Sequence, residues 1–312
     1  MIPAFNEQDT IAQVISSIPR QVEGFSETKI LVIDDGSVDN TVQVARNSGA
    51  DRLFQLGKNQ GLASAFSKGL EQAVAMGAQV IVNIDADGQY NASEIGKLCK
   101  PILEGKADMV IGNRQVKKLT FMPFSKKYGN RLGSWLVRKL SGTSVIDASS
   151  GFRAFTRDTS LRLNVLANHT YTHETIIDAA SKGLVIANVD VEFLPTSRAG
   201  GKSRLIHNVL THVKNSLLII VRTFVLYRPL KAFSILGAVF ISGAVLIGVR
   251  FIYYFTQGQG DGKIQSLIFA AILAIVGFQI IIMGFLADAT SVSRKVSENI
   301  LLEIKSRNNE KI

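Results

Sequence analysis

From residue 1 to about 115 the chain repeats one unit: an apolar strand, a polar loop and an amphipathic helix. Strands read at Lys29 to Ile33, Asp51 to Gln55, Val80 to Ile84 and Ala107 to Ile111. Between them, Asp39-Asn40-Thr41 opens a helix with a capping side chain available, and Asn59-Gln60-Gly61 turns into a helix from Leu62 to Met76. Strands alternating with helices predict a mostly parallel α/β sheet covered by helices. Such sheets bind ligands at the carboxyl ends of their strands, where Asp34, Asp35, Asp85, Asp87 and Arg114 fall.

Asp85-Ala86-Asp87-Gly88-Gln89 follows the apolar run Val80-Ile81-Val82-Asn83-Ile84. Two carboxylates one residue apart at a strand mouth can both reach a divalent cation, and hard oxygen ligands suit Mg²⁺ or Mn²⁺. An ion held there stabilises a departing diphosphate. An isolated Asp-x-Asp is more often a surface turn, and it is the rest of the chain that favours the metal reading. Asp34-Asp35 suits the hydrogen-bond donors of a base or ribose, or a solvated turn with a helix cap.

Lys and Arg number 35 against 25 Asp and Glu, a net charge of +10 that calls for an acidic partner. A nucleotide diphosphate and an anionic membrane both qualify. Nucleic acid is not expected, because the basic residues do not interleave with aromatics in a recognisable module. The lone Cys99 excludes an internal disulfide and a cysteine-rich zinc site. No signal peptide is read at the N-terminus, where Asn6-Glu7-Gln8-Asp9 interrupts early. The first three residues look like the last of a strand whose beginning is absent, as a mis-assigned start or a truncation would leave it.

Phe233 to Phe255 and Ile264 to Ala287 are apolar runs, each of a length to cross a bilayer of roughly 30 Å. Buried helices of a soluble domain are the alternative. Arg222, Arg228 and Lys231 precede the pair, and Arg294 and Lys295 follow it. The positive-inside rule then places both termini and the large domain in the cytoplasm of an integral membrane protein with two spans.

Lys126 to Leu140 reads as a strongly basic helix, Asp147 to Phe155 as a connection into a strand, Thr175 to Lys182 as a helix and Val185 to Phe193 as a strand. Leu205 to Leu226 suits a helix lying in the membrane interface, or an ordinary amphipathic core helix. Arg114, Arg131, Arg153, Arg198, Lys202 and Arg204 mostly follow predicted elements, and the planar fork of arginine suits phosphate oxygens. The glycines of Gly200-Gly201-Lys202-Ser203-Arg204 permit close backbone approach to phosphate. Glu174 is a general-base or helix-capping candidate. His169 and His173 lack a third ligand for zinc. No Gly-x-Gly-x-x-Gly dinucleotide fingerprint and no Gly-x-Ser-x-Gly elbow occurs.

Pro3-Ala4-Phe5-Asn6-Glu7, Asp34-Asp35-Gly36-Ser37-x-Asp39-x-Thr41, Asn59-x-Gly61 with Gly69, Asp85-x-Asp87-x-Gln89 and Ser150-Gly151-Phe152-Arg153 stand in one order. That order resembles family 2 glycosyltransferases, most of all the dolichol-phosphate mannosyltransferase and polyprenyl-phosphate glycosyltransferase branch, over about residues 1 to 225. The resemblance implies an α/β GT-A nucleotide-diphospho-sugar transferase fold, a Rossmann-like mostly parallel sheet, followed by two transmembrane helices. It implies inverting transfer of one sugar, from GDP-mannose or a UDP-hexose, to dolichyl or polyprenyl phosphate. On this pattern Pro3, Phe5, Glu7 and Asp35 contact the nucleoside, and Asp85, Asp87 and Gln89 hold metal and diphosphate. Arg114, Arg131 and Arg198 take acceptor or donor phosphate. Lys202 and Arg204 join them less securely, because the usual loop ends in Ser-Lys where this one reads Ser203-Arg204.

The expected division is a catalytic domain over 1–204, an interfacial helix and linker over 205–231, a two-helix anchor over 232–288 and a cytoplasmic tail over 289–312. A processive polysaccharide synthase is the enzymatic alternative. Such enzymes usually carry Gln-x-x-Arg-Trp, whereas the only tryptophan here, Trp135, follows Ser134. A non-catalytic nucleotide-sugar-binding membrane module is the other, and the intact Asp85 and Asp87 oppose it.

Overall fold

The computed structural model describes residues 1–165, 171–195, 218, 221–222, 224–259 and 262–310. The first half runs β1 (Ile2–Ala4), α1 (Ile11–Ser17), β2 (Leu31–Asp34), α2 (Thr41–Asn47), β3 (Arg52–Gln55), α3 (Leu62–Ala75) and β4 (Val80–Asn83). It continues with α4 (Ile95–Leu103), β5 (Met109–Asn113), α5 (Phe124–Ser141), β6 (Arg153–Thr156), α6 (Arg157–Arg162), α7 (Thr172–Ser181) and β7 (Ile186–Asp190). Two long helices follow, α8 (Pro229–Thr256) and α9 (Ile264–Glu310).

β1, β2 and β3 pair in parallel, and β4, β6, β5 and β7 form the second ladder. Met1 joins them: its amino group donates to Val82 O at 2.6 Å, and Ile84 N donates to Met1 O at 3.1 Å. That is the bonding pattern of a parallel pair. The described strands therefore form a sheet in the order β3-β2-β1-β4-β6-β5-β7. The expectation of a mostly parallel sheet needs one correction, for β6 runs antiparallel to both β4 and β5. The segment between β5 and β6 leaves and re-enters the sheet at the same end, so β6 must run back through it.

Apolar spacing sets the packing. Ile11, Val14, Ile15 and Ile18 form the buried stripe of α1, and α3 buries Phe66, Gly69, Leu70 and Ala73. Gly69 lets α3 lie close on the sheet: a Cβ there would meet Ile33 Cγ1 at 3.3 Å and Met1 Sδ at 2.8 Å. Phe66 stacks on Tyr171 with centroids 3.7 Å apart and meets Phe155 edge-on. Full burial of one such ring is worth about 1.5–3 kcal/mol.

The chain divides into two compact units, Met1–Thr223 with Leu302–Ile312, and Phe224–Leu301. In the second, α8 and α9 touch backbone to backbone, since a Cβ on Gly237 would lie 2.7 Å from Gly277 O. Both helices are long and apolar enough to cross a membrane, with mean hydropathy 2.3 and 2.6 in their most apolar windows.

Candidate active site

β4 ends by presenting Asp85 and Asp87, both half-buried. Neighbouring segments fix the turn that carries them. Thr10 Oγ1 donates to Ala86 O at 2.7 Å, Gln89 N donates to Asp87 Oδ1 at 3.2 Å, and Leu194 N donates to Gln89 O at 2.7 Å. Gln89 Nε2 also donates to Leu194 O at 3.3 Å, tying this side chain to the chain beyond β7.

Gly151, at the entry to β6, forms the wall behind Asp85. A Cβ there would come within 2.6 Å of Asp85 Oδ1 and Oδ2. Both peptide groups of this glycine are held by β4 and its turn: Gly151 N donates to Tyr90 Oη at 3.0 Å, and Asn83 Nδ2 donates to Gly151 O at 2.8 Å. Asn83 Nδ2 donates as well to Tyr171 Oη at 2.9 Å. Burial pushes the Tyr90 hydroxyl up to about 12 and Tyr171 well above its ordinary value, with Asp85 adding to both shifts. Both phenols therefore stay neutral at physiological pH.

On the β1–β2 side two loops are stitched together. Asn6, at φ +55°, donates from its N–H to Ser37 Oγ at 2.9 Å, and Val38 N donates to Asn6 Oδ1 at 2.9 Å. Glu7 N donates to Thr41 Oγ1 at 2.7 Å, and Glu7 Oε2 accepts from Thr10 Oγ1 at 3.1 Å. Pro3 is buried in β1 opposite Ile33, and Phe5 is half-buried just beyond it. Asp34 closes its own turn by accepting from Ser37 N. Asp35 accepts from Gln60 N at 2.7 Å and Gly61 N at 2.9 Å, so it fixes the loop before α3. Burial raises the Asp35 carboxyl above its usual range, against those two hydrogen bonds.

The arginines separate into three situations. Arg153 is corrected from a phosphate ligand to an internal brace, because it is fully buried. Its guanidinium donates to Ser150 O, Thr172 O, Thr175 Oγ1 and Ala148 O at 2.7–2.9 Å. Burial lowers it to about 10, so it is charged at neutral pH. Arg114 is corrected in part: it forks onto Asp147 at 2.7 and 2.8 Å and reaches Ser149, so its charge is already paired. Burial alone would lower Arg114, yet Asp147 holds it above its ordinary value. Arg131 lies exposed on α5, lining a cavity of ≈ 600 Å³ with Lys117, Lys118 and Arg138. Arg198, Lys202, Arg204 and His169 lie outside the described residues, as does most of the predicted 205–226 helix. His173 and Glu174 are buried in the first turn of α7, where Glu174 meets the positive end of the helix.

Comparison with known proteins places this mouth in context. The glycosyl transferase family 2 pattern matches residues 1–161, just over half of the chain. The chain belongs to glycosyl transferase family 2. It is 30% identical over 205 residues to a UDP-N-acetylglucosamine–dolichyl-phosphate N-acetylglucosaminyltransferase of Methanococcus voltae, covering 60% of this chain and 78% of that one. It is 32% identical over 196 residues to a dolichyl-phosphate hexose transferase of Haloferax volcanii, covering 63% and 81%. Its fold is similar to that of glucosyl-3-phosphoglycerate synthase from Mycobacterium tuberculosis, solved with Mn²⁺, UDP and glucosyl-3-phosphoglycerate. There the TM-score is 0.53 at 24% identity, covering 72% of this chain and 77% of that one, a likeness of fold alone. The first unit of this family 2 member is thus a GT-A-like Rossmann fold with a mixed sheet.

Among the described residues no group of three or more His, Cys, Asp or Glu side chains converges. A cation at Asp85 and Asp87 would draw its remaining oxygens from substrate and water, as Mg²⁺ commonly does. The donor set fits such an ion: two hard carboxylates, half-open, one of them backed by a side-chain-free wall. Asn83, Tyr90, Asp147 and Tyr171 support the mouth without having been singled out as candidates. Only Gly151, inside Ser150-Gly151-Phe152-Arg153, carried a signal in sequence.

Proposed function

We propose that this chain transfers a single sugar, with inversion, from a nucleotide diphosphate sugar to dolichyl or polyprenyl phosphate at the cytoplasmic membrane face. The observation that carries the reading is the Asp85–Asp87 pair, with Asp85 set against Gly151, at the carboxyl mouth of a family 2 sheet. Two relatives named for dolichyl-phosphate transfer support the acceptor class, and their differing sugars leave GDP-mannose and UDP-hexoses as donors to be tested. The membrane setting is supported by α8 and α9. Their most apolar windows are only 11% and 17% buried, unlike the core helix of a soluble protein.

In this reading Pro3, Phe5, Glu7, Asp34 and Asp35 line the nucleoside, and Asp85 and Asp87, with Gln89 beside them, hold the metal and diphosphate. Mg²⁺ or Mn²⁺ bound there would offset diphosphate charge as it departs. Arg131, with Arg198, Lys202 and Arg204, compensates phosphate charge, while Arg114 acts from its Asp147 pair. A lipid phosphate is already an anionic nucleophile, so alignment and charge compensation are the main catalytic tasks. The domain scheme of 1–204, 205–231, 232–288 and 289–312 belongs to the same proposal, as do two spans with both termini cytoplasmic.

The test offers the purified protein a panel of radiolabelled nucleotide sugars, polyprenyl phosphate and Mg²⁺ or Mn²⁺. Label extracted into organic solvent, dependent on metal and lipid phosphate, is the expected result. Label appearing only in water-soluble product would overturn the acceptor assignment.

A further inference from the structure

The seam between α8 and α9 runs past the apolar part of both helices and ends on a partly buried guanidinium. A Cβ on Gly284 would meet Phe233 Cβ at 2.8 Å, so the two backbones stay close toward the start of α8. There Pro229 keeps the residue before it out of the helical region, and Arg228 takes φ −139°, ψ 58°. Just before that break Tyr227 is buried, and Arg294 of α9 stacks over its ring with Cζ 4.2 Å from the centroid. Nε and Nη1 of Arg294 are buried, and neither makes a hydrogen bond among the described residues. Glu298 Oε1, one turn along α9, stands 3.7 Å from Nε, beyond hydrogen-bond reach. The Arg294 side chain is 20% exposed, so its charge is open on one side.

We infer that Arg294, held flat by Tyr227, binds the terminal phosphate of a membrane lipid, a phosphate monoester, where the α8–α9 pair leaves the bilayer. The inference rests on the membrane part of the proposed function and deepens it, because polyprenyl phosphate belongs to this headgroup class. A guanidinium short of hydrogen bonds calls for an anionic acceptor, and phosphate oxygens suit its donors. Depth points to a lipid as the source. Arg294 lies seven residues past Ala287, where the apolar run ends, which is about 10 Å along the axis. Helical side chains lean toward the helix N-terminus, so this one reaches back toward the bilayer, to the level of headgroups. Steric access selects the monoester. A terminal phosphate offers its oxygens with nothing beyond them, whereas a glycerol or choline head would have to fold aside between Tyr227 and Glu298. A monoester also carries about −1.5 to −2 charges, and Arg228 and Lys231 at the same end of α8 favour that charge while Asp288 and Glu298 oppose it.

Full-length protein would be placed in phosphatidylcholine nanodiscs containing phosphatidic acid, polyprenyl phosphate or phosphatidylglycerol, and the lipid it retains read by native mass spectrometry. Both monoesters should be retained in preference to phosphatidylglycerol. Arg294→Gln should weaken retention of phosphatidic acid by about tenfold or more, the scale of charge-assisted hydrogen bonds. Arg294→Lys, which keeps the charge but not the planar donors, should fall between, and Tyr227→Phe, which keeps the ring, should retain the lipid. Undiminished retention by Arg294→Gln would overturn the assignment and reduce Arg294 to a brace on Tyr227. Equal retention of phosphatidylglycerol by the wild-type protein would overturn the monoester, and this comparison needs no variant to fold. Displacement of the lipid by inorganic phosphate would overturn the lipid source. Protein stripped from vesicles by alkaline carbonate would instead overturn the membrane reading, which lipid loss from a carbonate-resistant protein would leave standing.

Discussion

Gly151 occupies a position where a Cβ would lie 2.6 Å from both carboxylate oxygens of Asp85. Gly151→Ala must therefore displace Asp85 or push back the entry to β6. The variant is expected to fold but to lose about 100-fold in transfer rate, the typical cost of misplacing a reacting constellation by about 1 Å. Circular dichroism with steady-state transfer checks this, and an unchanged rate would detach Asp85 from catalysis.

Asp87→Asn replaces a hard anionic ligand with a neutral amide at nearly constant shape. Transfer should fall by about 10²–10³-fold, the scale of losing one preorganised electrostatic contact. Titration of Mn²⁺ in the presence of nucleoside diphosphate should show weaker binding. Wild-type turnover at limiting metal would remove Asp87 from the metal site.

The Arg114–Asp147 pair is buried, with side chains 12% and 2% exposed. Asp147→Ala leaves the guanidinium without its counter-ion and should destabilise the protein by about 3–5 kcal/mol. Adding Arg114→Met should recover part of that loss, giving a measurable coupling in urea unfolding. Burial opposes ionisation of Asp147, yet Arg114 and its hydrogen bonds, with Asn130 helping, hold the carboxyl below its usual 3.8. The sign follows: the unfolded chain takes up this proton first, so the pair's contribution is complete above about pH 4 and declines as pH falls further. Acid unfolding of Asp147→Ala should accordingly be shallower below pH 4.

Arg153→Met strands four acceptors inside the protein. At about 1–3 kcal/mol for each unsatisfied buried group, partly relieved by relaxation, a loss of at least about 3 kcal/mol is expected. Nucleotide affinity of the molecules that remain folded should be unchanged, because the guanidinium faces protein atoms on every bonded side. Calorimetry below the unfolding temperature separates the two effects.

Gly277→Val should separate α8 from α9, because even a Cβ there meets Gly237 O at 2.9 Å and Ile241 Cγ1 at 2.8 Å. A lower unfolding temperature in detergent is the expected result. The same exchange at Gly248, where a Cβ meets nothing within 4 Å, should be nearly silent.

The alternating units, the carboxyl-end position of Asp34, Asp35, Asp85 and Asp87, and the two long apolar helices were readable in sequence because each is a local pattern. The reversal of β6 was not, since a short strand such as Arg153–Thr156 carries no sign of its direction. Arg114 and Asp147 are separated by 33 residues, and nothing local marks them as partners. Arg153 was misassigned because residue type records a charge but not its burial. Gly151 belonged to a recognised motif, yet its purpose appeared only once Asp85 was seen against it.

The antiparallel course of β6 also bears on how such a chain can diversify. The stretch between β5 and β6 departs beside Arg114 and comes home beside Asp147, and the ion pair fastens those two points together. What lies between them is a segment with clasped ends, whose loops can change length while the acid pair just beyond β4 keeps its place.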